Sequence, residues 1–279
     1  MREAGKGLVS SMREIVPGSE YVEIGLDDRK KVSGYVLSGY FSLLDDNELD
    51  ILICDASLIP FPISPELHIA AVAGRANPFN VFVSEYASIF EDYSGEMPIE
   101  VFSPVIKGQL IYHHPAYRYV DCDRDFYSCY RRMVNGECGG FVLPAFVVET
   151  LNQQGRVVEV FSSSVCMPLP GQGTLALVTR RSDRRSMKLA AEINNPNLWL
   201  ALKLERKFAG SEVFRNRCVG ALCSISGPVL DFNAVIVSPD GSERMERTVS
   251  GKADDGDNII RKLLDSISSA GSETGTNFA

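Results

Sequence analysis

Asp45-Asp46-Asn47-Glu48-Leu49-Asp50-Ile51-Leu52-Ile53-Cys54 divides into an acidic turn and a short apolar run. Residues 50–54 read as a strand, buried on both faces if its sheet is parallel. Residues 32–44, before the turn, carry a helical pattern. After it, Pro60, Pro62 and Pro65 force an extended loop. The alternation continues outward from here. Upstream, 9–15 reads as a helix ended by Pro17-Gly18, and 21–24 as a strand. Downstream, 68–72 and 80–84 read as strands, and the polar stretch 86–97 as a crossover. A second set follows, with strands over 99–102, 117–120, 140–143 and 157–161 and helices over 106–112, 126–134 and 145–151. One more strand, 174–179, follows Gly171-Gln172-Gly173. Such alternation predicts an α/β sheet architecture.

The last third differs. Residues 197–208 form a strongly patterned helix, followed by strand-like runs over 219–225, 230–237 and 246–250. Ser238-Pro239-Asp240-Gly241-Ser242 reads as a hairpin turn, and 259–267 as a closing amphipathic helix. The tail from Ser268 is rich in Ser, Gly and Thr and is expected to fray. The reading is therefore two α/β lobes and a small C-terminal α+β domain.

The chain has 279 residues, 36 acidic against 28 basic, for a formal net charge of -8. That balance argues against general nucleic-acid binding, which needs phosphate neutralisation. No apolar run is long enough to span a bilayer, and the first residues lack an apolar signal core. The expectation is a protein of the cytoplasm or an organellar matrix or stroma, not a secreted one. Seven cysteines, an odd number, point to reduced thiols rather than a disulfide framework.

Generic catalytic motifs are missing: the sequence has no Walker A, GxGxxG, HExxH or GxSxG pattern. His113 and His114 are adjacent and point apart, so they make a poor metal pair. No cysteine pair has zinc-type spacing, and no metal is expected. The basic run Arg180-Arg181-Ser182-Asp183-Arg184-Arg185 reads as a solvated interdomain linker rather than an anion site. Arg29-Lys30-Lys31 reads as a charged turn. Gly171-Gln172-Gly173 permits positive φ and close backbone approach, serving either a tight turn or a ligand-facing one.

The order of segments carries a resemblance. Residues 47–53, Ile59-Pro60, the strand 68–72, Arg75-Ala76-Asn77-Pro78 and Val81-Phe82-Val83 resemble the first domain of the porphobilinogen deaminase (hydroxymethylbilane synthase) family. Asn135-Gly136-Glu137 with Phe141-Val142-Leu143-Pro144-Ala145 resembles its second domain, and residues 169–176 its return strand. Glu205-Arg206-Lys207-Phe208, Val219-Gly220-Ala221 and 238–243 resemble its third. The similarity runs in order from about residue 8 to 270. It implies two lobes like those of periplasmic binding proteins around a cleft, over 1–93 with 171–183 and over 94–170, and a third domain over 184–279. It also implies a transferase of tetrapyrrole (haem) biosynthesis that condenses four porphobilinogens, releases ammonia and carries a dipyrromethane cofactor on a cysteine.

The departures fall on the chemistry. Leu58 stands where the family has its catalytic aspartate, and Ser57 where it has a lysine. Leucine neither exchanges a proton nor steadies a cation. Asp55, three residues earlier, is a weak substitute that faces the other side of an extended segment. The family's arginine pair stands as Lys107-Gly108, and its RGN step as Asp123-Arg124-Asp125. The cofactor cysteine's place falls on Arg215 or Asn216, leaving Cys218 as a displaced candidate for attachment. The family begins with a strand ahead of the first helix, whereas this sequence begins almost at that helix, so the expectation is either that Met1 is not the true start or that the first lobe has lost that strand. The resulting expectation is a family member without synthase activity or cofactor, acting in ligand binding or protein assembly. Ser57, Ser103, Lys107 and Gln172 would hold a small anionic or pyrrole ligand in the interdomain cleft, and a protein partner or larger assembly is the other use. An active divergent synthase, with dipyrromethane on Cys218 and Asp55 as acid, is the alternative. A two-lobed binding protein unrelated to tetrapyrroles is a third reading, which leaves the C-terminal domain without a use.

Overall fold

The computed structural model describes residues 34–122 and 125–273, with side chains placed for 40–122 and 125–269. The helix expected over 9–15, the strand over 21–24, the cluster Arg29-Lys30-Lys31, the missing first strand, and Asp123 and Arg124 lie outside the described residues.

Three sheets organise the chain. The first joins β1 (Leu52–Asp55), β8 (Thr174–Arg180) and β2 (Leu67–Arg75), with β8 in the middle and every pairing antiparallel. β8 is buried along Thr174 to Thr179 because helices cover both faces of the sheet. On one face lie α1 (Gly34–Asp45), through Phe41 and Leu44, and Leu202 of α6 (Pro196–Ala209). On the other lies Ala190 of α5 (Arg184–Glu192). β1 is antiparallel to β8, at the edge of this sheet among the described residues, and half-buried at Ile53 and Cys54, so the parallel setting in which it would be buried on both faces does not apply.

The second sheet has the order β5 (Tyr119–Asp121), β4 (Ile99–Val101), β6 (Gly140–Pro144), β3 (Asn80–Val83), β7 (Val157–Val160). β4 runs parallel to both its neighbours, and β3 antiparallel to both of its own. Its helices are α2 (Pro104–His113), α3 (Phe126–Val134) and α4 (Ala145–Thr150). Asp125 caps α3 by accepting from Ser128 N at 3.0 Å, and the apolar stripe Phe126, Cys129, Met133 turns inward.

The third sheet is a meander of nine-residue strands, β9 (Cys218–Ser226), β10 (Val229–Val237) and β11 (Arg244–Lys252), with β10 central. Phe208 of α6 and Ile260 and Ile267 of α7 (Gly256–Glu273) pack with Phe232 and Leu230 on one face. α6 therefore serves two cores, Leu202 the first and Leu204 and Phe208 the third. Mixed α/β sheets followed by an α+β unit agree with the fold class read from the sequence.

Two segments pair or pack differently from their place in the sequence reading. β3 pairs with β6 and β7, so the chain enters the second sheet by Asn80, ahead of the expected crossover over 86–97 and of a boundary at 93. The stretch expected to be a linker and the start of the third domain contains α5, which packs on the first sheet. Asp183 caps it, and Arg180 reaches the carbonyls of Leu44 (2.7 Å) and Leu49. No helix among the described residues is long and apolar enough to cross a membrane.

Candidate functional site

The end of β1 does not stay extended. Asp55 caps a single 3₁₀ turn, Ala56–Leu58, and its Oδ1 accepts from the Ser57 backbone N–H at 3.0 Å and from the Ser57 hydroxyl. The carboxyl folds back on its own chain instead of facing the opposite side from Leu58. Asp55 is 1% exposed, and its Oδ2 is buried without a hydrogen-bond partner. Leu58, by contrast, is 42% exposed, an apolar side chain displayed where the family would place its acid. Arg206 clamps the next step of chain, donating to Ile59 O at 2.9 Å and Pro60 O at 2.7 Å.

Burial pushes the Asp55 carboxyl up to about 6, and the Ser57 bonds, the nearby Gly173 N–H and the charge of Arg75 offset only part of that. Its folded pKa lies above its unfolded value, so the folded chain binds the extra proton. The stability this provides is full below about pH 4 and lost as pH rises to about 6, a change of about 3 kcal/mol. Asp55→Asn keeps a capping acceptor. Urea unfolding of this variant from pH 4 to 7 is expected to lack that fall. An identical slope in the two proteins would refute the assignment.

Gly171-Gln172-Gly173 lies beside this turn. Gly171 and Gly173 have φ of 79° and 74°, and a Cβ on Gly173 would stand 2.8 Å from Ala76 O. Gln172 is 1% exposed. Its amide donates to Pro78 O at 2.5 Å and Asn80 Oδ1 at 2.9 Å, and its Oε1 accepts from Leu169 N at 3.3 Å. Of the two readings open in the sequence, the packed turn describes this geometry.

Ser103 and Lys107 stand elsewhere, on α2 of the second sheet. The Ser103 hydroxyl caps the helix by accepting from Val105 N at 3.1 Å. Lys107 Nζ sits 3.1 and 3.2 Å from the Asp121 carboxylate oxygens. Asp55, Ser57 and Gln172 therefore gather around one turn of the first sheet, while Ser103 and Lys107 bond within the second unit.

Cys218 opens β9 opposite Val237 and packs with Met167 and Val235. Burial raises its thiol pKa, which holds it protonated and weakly nucleophilic. At the family's attachment place stand Arg215, ion-paired to Glu212, and Asn216, both exposed. Six of the seven cysteines are buried and Cys54 is half-buried, so no thiol is displayed for a thioether to a dipyrromethane.

Comparison with known proteins places this geometry. The family described as "Porphobilinogen deaminase, dipyromethane cofactor binding domain" matches residues 37–188, more than half of the chain. The chain belongs to the porphobilinogen deaminase family. Similar members include the porphobilinogen deaminases of Acidothermus cellulolyticus (25% identical over 246 residues, 86% of this chain and 74% of that protein) and Moorella thermoacetica (26% over 226 residues, 78% and 72%). That of Pelotomaculum thermopropionicum is 23% identical over 276 residues, 93% of this chain and 87% of that protein. Among solved structures, the VFT2 domain of Bordetella pertussis BvgS is similar at a TM-score of 0.43 and 16% identity, over 67% of this chain and 76% of that one. The substrate binding protein of an amino acid ABC transporter follows at 0.39 and 14%, over 68% and 79%. Likeness at these scores carries no argument about the site.

One group in this family member escaped the sequence reading. Glu205, fully buried on α6, accepts from Arg75 Nη2 at 2.7 and 2.9 Å, Gly171 N at 2.7 Å and Cys223 N at 2.7 Å. Arg75 also donates to Thr174 Oγ1 at 2.8 Å and Cys223 O at 3.2 Å. The pair joins the first sheet, the glycine turn and the third sheet. Beside it lies a groove of about 300 Å³ lined by Arg75, Pro78, Leu198, Leu222 and Ser224; none of Asp55, Ser57, Ser103, Lys107, Gln172 and Cys218 lines it. The signal available was a lone carboxylate on the apolar stripe Ala201, Leu204, Phe208.

Proposed function

We propose that this porphobilinogen deaminase family protein has lost synthase chemistry and acts by binding a small ligand or by joining a larger assembly. The observation that carries the reading is Leu58, a solvent-exposed hydrocarbon in the place of the family's acid–base group. Proton transfer of that kind contributes about 10²–10⁴ in rate, and leucine supplies none of it. The buried Cys218 and the lone, carboxylate-paired Lys107 point the same way. We assign the protein no dipyrromethane, a cytoplasmic or organellar matrix or stromal location, and a ligand of anionic or pyrrole type in the cleft between the first two lobes, with Ser57 and Gln172 on the side of the first and Ser103 and Lys107 on the side of the second. We read three domains, one on each sheet, the first including β8 and α5, the second beginning before β3, and the third built on α6, α7 and the meander.

Asp55 favours the alternative of an active divergent synthase. A buried carboxyl with a pKa near 6 and an unpartnered oxygen has the properties of a general acid. That reading still needs a displayed thiol and cations for the substrate carboxylates. Incubation of the purified chain with porphobilinogen, then acid oxidation and absorbance of uroporphyrin, separates the two. No product is expected, and sustained product formation overturns the proposal.

A further inference from the structure

Glu100 is a charged residue in the middle of the short apolar strand Ile99-Glu100-Val101, and it is 1% exposed. Two cysteines from separate elements converge on it. Cys122 follows the parallel neighbour β5, held by its N–H to Val101 O at 2.8 Å. Cys129 projects from the second turn of α3. The Cys122 Sγ lies 3.4 Å from Glu100 Oε2 and 3.0 Å from the Cys129 Sγ. All three ligand atoms fall within 4.8 Å of one another, and all three residues are buried. In sequence these cysteines lack zinc-type spacing; the crossover between parallel strands creates the cluster.

We propose that Glu100, Cys122 and Cys129 form a binding site for a divalent cation of the zinc class. Two sulfurs and one carboxylate oxygen suit a borderline-soft ion in tetrahedral geometry, with water as the fourth ligand. Thiolates on one zinc lie about 2.3 Å from it and so about 3.8 Å from each other, which asks each sulfur here to move about 0.4 Å. A disulfide, at about 2.05 Å, asks for a larger approach and leaves Glu100 unused. The charges are largely offset. The cation cancels two of the three negative charges, and Arg132, whose Nε lies 2.8 Å from Glu100 Oε1, offsets the third in part, since its Nη1 also pairs with Glu137 at 2.5 Å. Binding forms two metal–sulfur bonds and one metal–oxygen bond and releases two thiol protons to solvent. The site lies away from the turns of the first sheet, and its occupancy does not depend on whether the protein is a synthase.

The test uses the full chain, reduced and stripped with a chelator, with Co²⁺ alone as the probe. The expected result is one Co²⁺ per chain, a thiolate-to-cobalt charge-transfer band, tetrahedral ligand-field bands, and release of about two protons per ion. Zn²⁺ displaces the cobalt. Cys122→Ser and Cys129→Ser each abolish the charge-transfer spectrum of the paired thiolates, and Glu100→Gln weakens binding at least about tenfold. If these variants fail to fold, alkylation mapping of the native chain decides: Zn²⁺ is expected to protect Cys122 and Cys129 and no other cysteine. No cobalt bands, protection of other cysteines, or a Cys122–Cys129 disulfide that reforms after reduction in the presence of Zn²⁺ would overturn the proposal.

Discussion

Replacement of Glu205 by alanine is expected to lower the melting temperature by about 10 °C or more, or to leave no soluble folded chain. Breaking a buried ion pair from one side costs about 3–5 kcal/mol, because the remaining charge stays buried without a partner. Here Arg75, whose side chain is 11% exposed, is that charge. The N–H groups of Gly171 and Cys223 lose their acceptor as well. In a chain of this size each kcal/mol moves the midpoint by about 2–4 °C. The double variant Arg75→Met with Glu205→Leu removes both charges and is expected to lose less than Glu205→Ala alone. A Glu205→Ala midpoint within about 1 °C of the parent would show that the pair does not hold the first and third sheets together.

The Leu58→Asp variant is expected to make no uroporphyrin from porphobilinogen. Restoring the acid alone supplies at most the factor of about 10²–10⁴ that general acid–base catalysis gives. The chain would still lack an exposed thiol to carry the growing pyrrole, since Cys218 is buried among Met167, Val235 and Val237. It would still present one cation, Lys107, already paired to Asp121, where the family has two arginines. Product from Leu58→Asp would mean that the cofactor and clamp functions survive in other residues.

Local physics was legible in the sequence, and long-range pairing was not. The helix at 126–134 is legible to its ends, and the structure shows that its determinants are local: Asp125 caps it and Phe126, Cys129 and Met133 turn inward. The hairpin at 238–242 likewise announces itself through Gly241, which takes φ 69°. β3 was recognised as a strand, but its sheet was not, since its partners β6 and β7 lie some sixty and seventy-five residues on. α5 was hidden because it buries only Ser186 and Ala190, too small a stripe to stand out from its arginines. For the site, the identity of Leu58 was visible in the sequence. The 3₁₀ turn that buries Asp55, and the meeting of Arg75 with Glu205 across 130 residues, were not, because both depend on backbone brought from elsewhere.

The intact mass of the purified chain, before and after incubation with porphobilinogen, tests the central claim most directly. The mass of the unmodified polypeptide is expected in both samples, because no cysteine is displayed to form a thioether. A covalent increment of pyrrole units, before or after incubation, would contradict it and identify an active synthase.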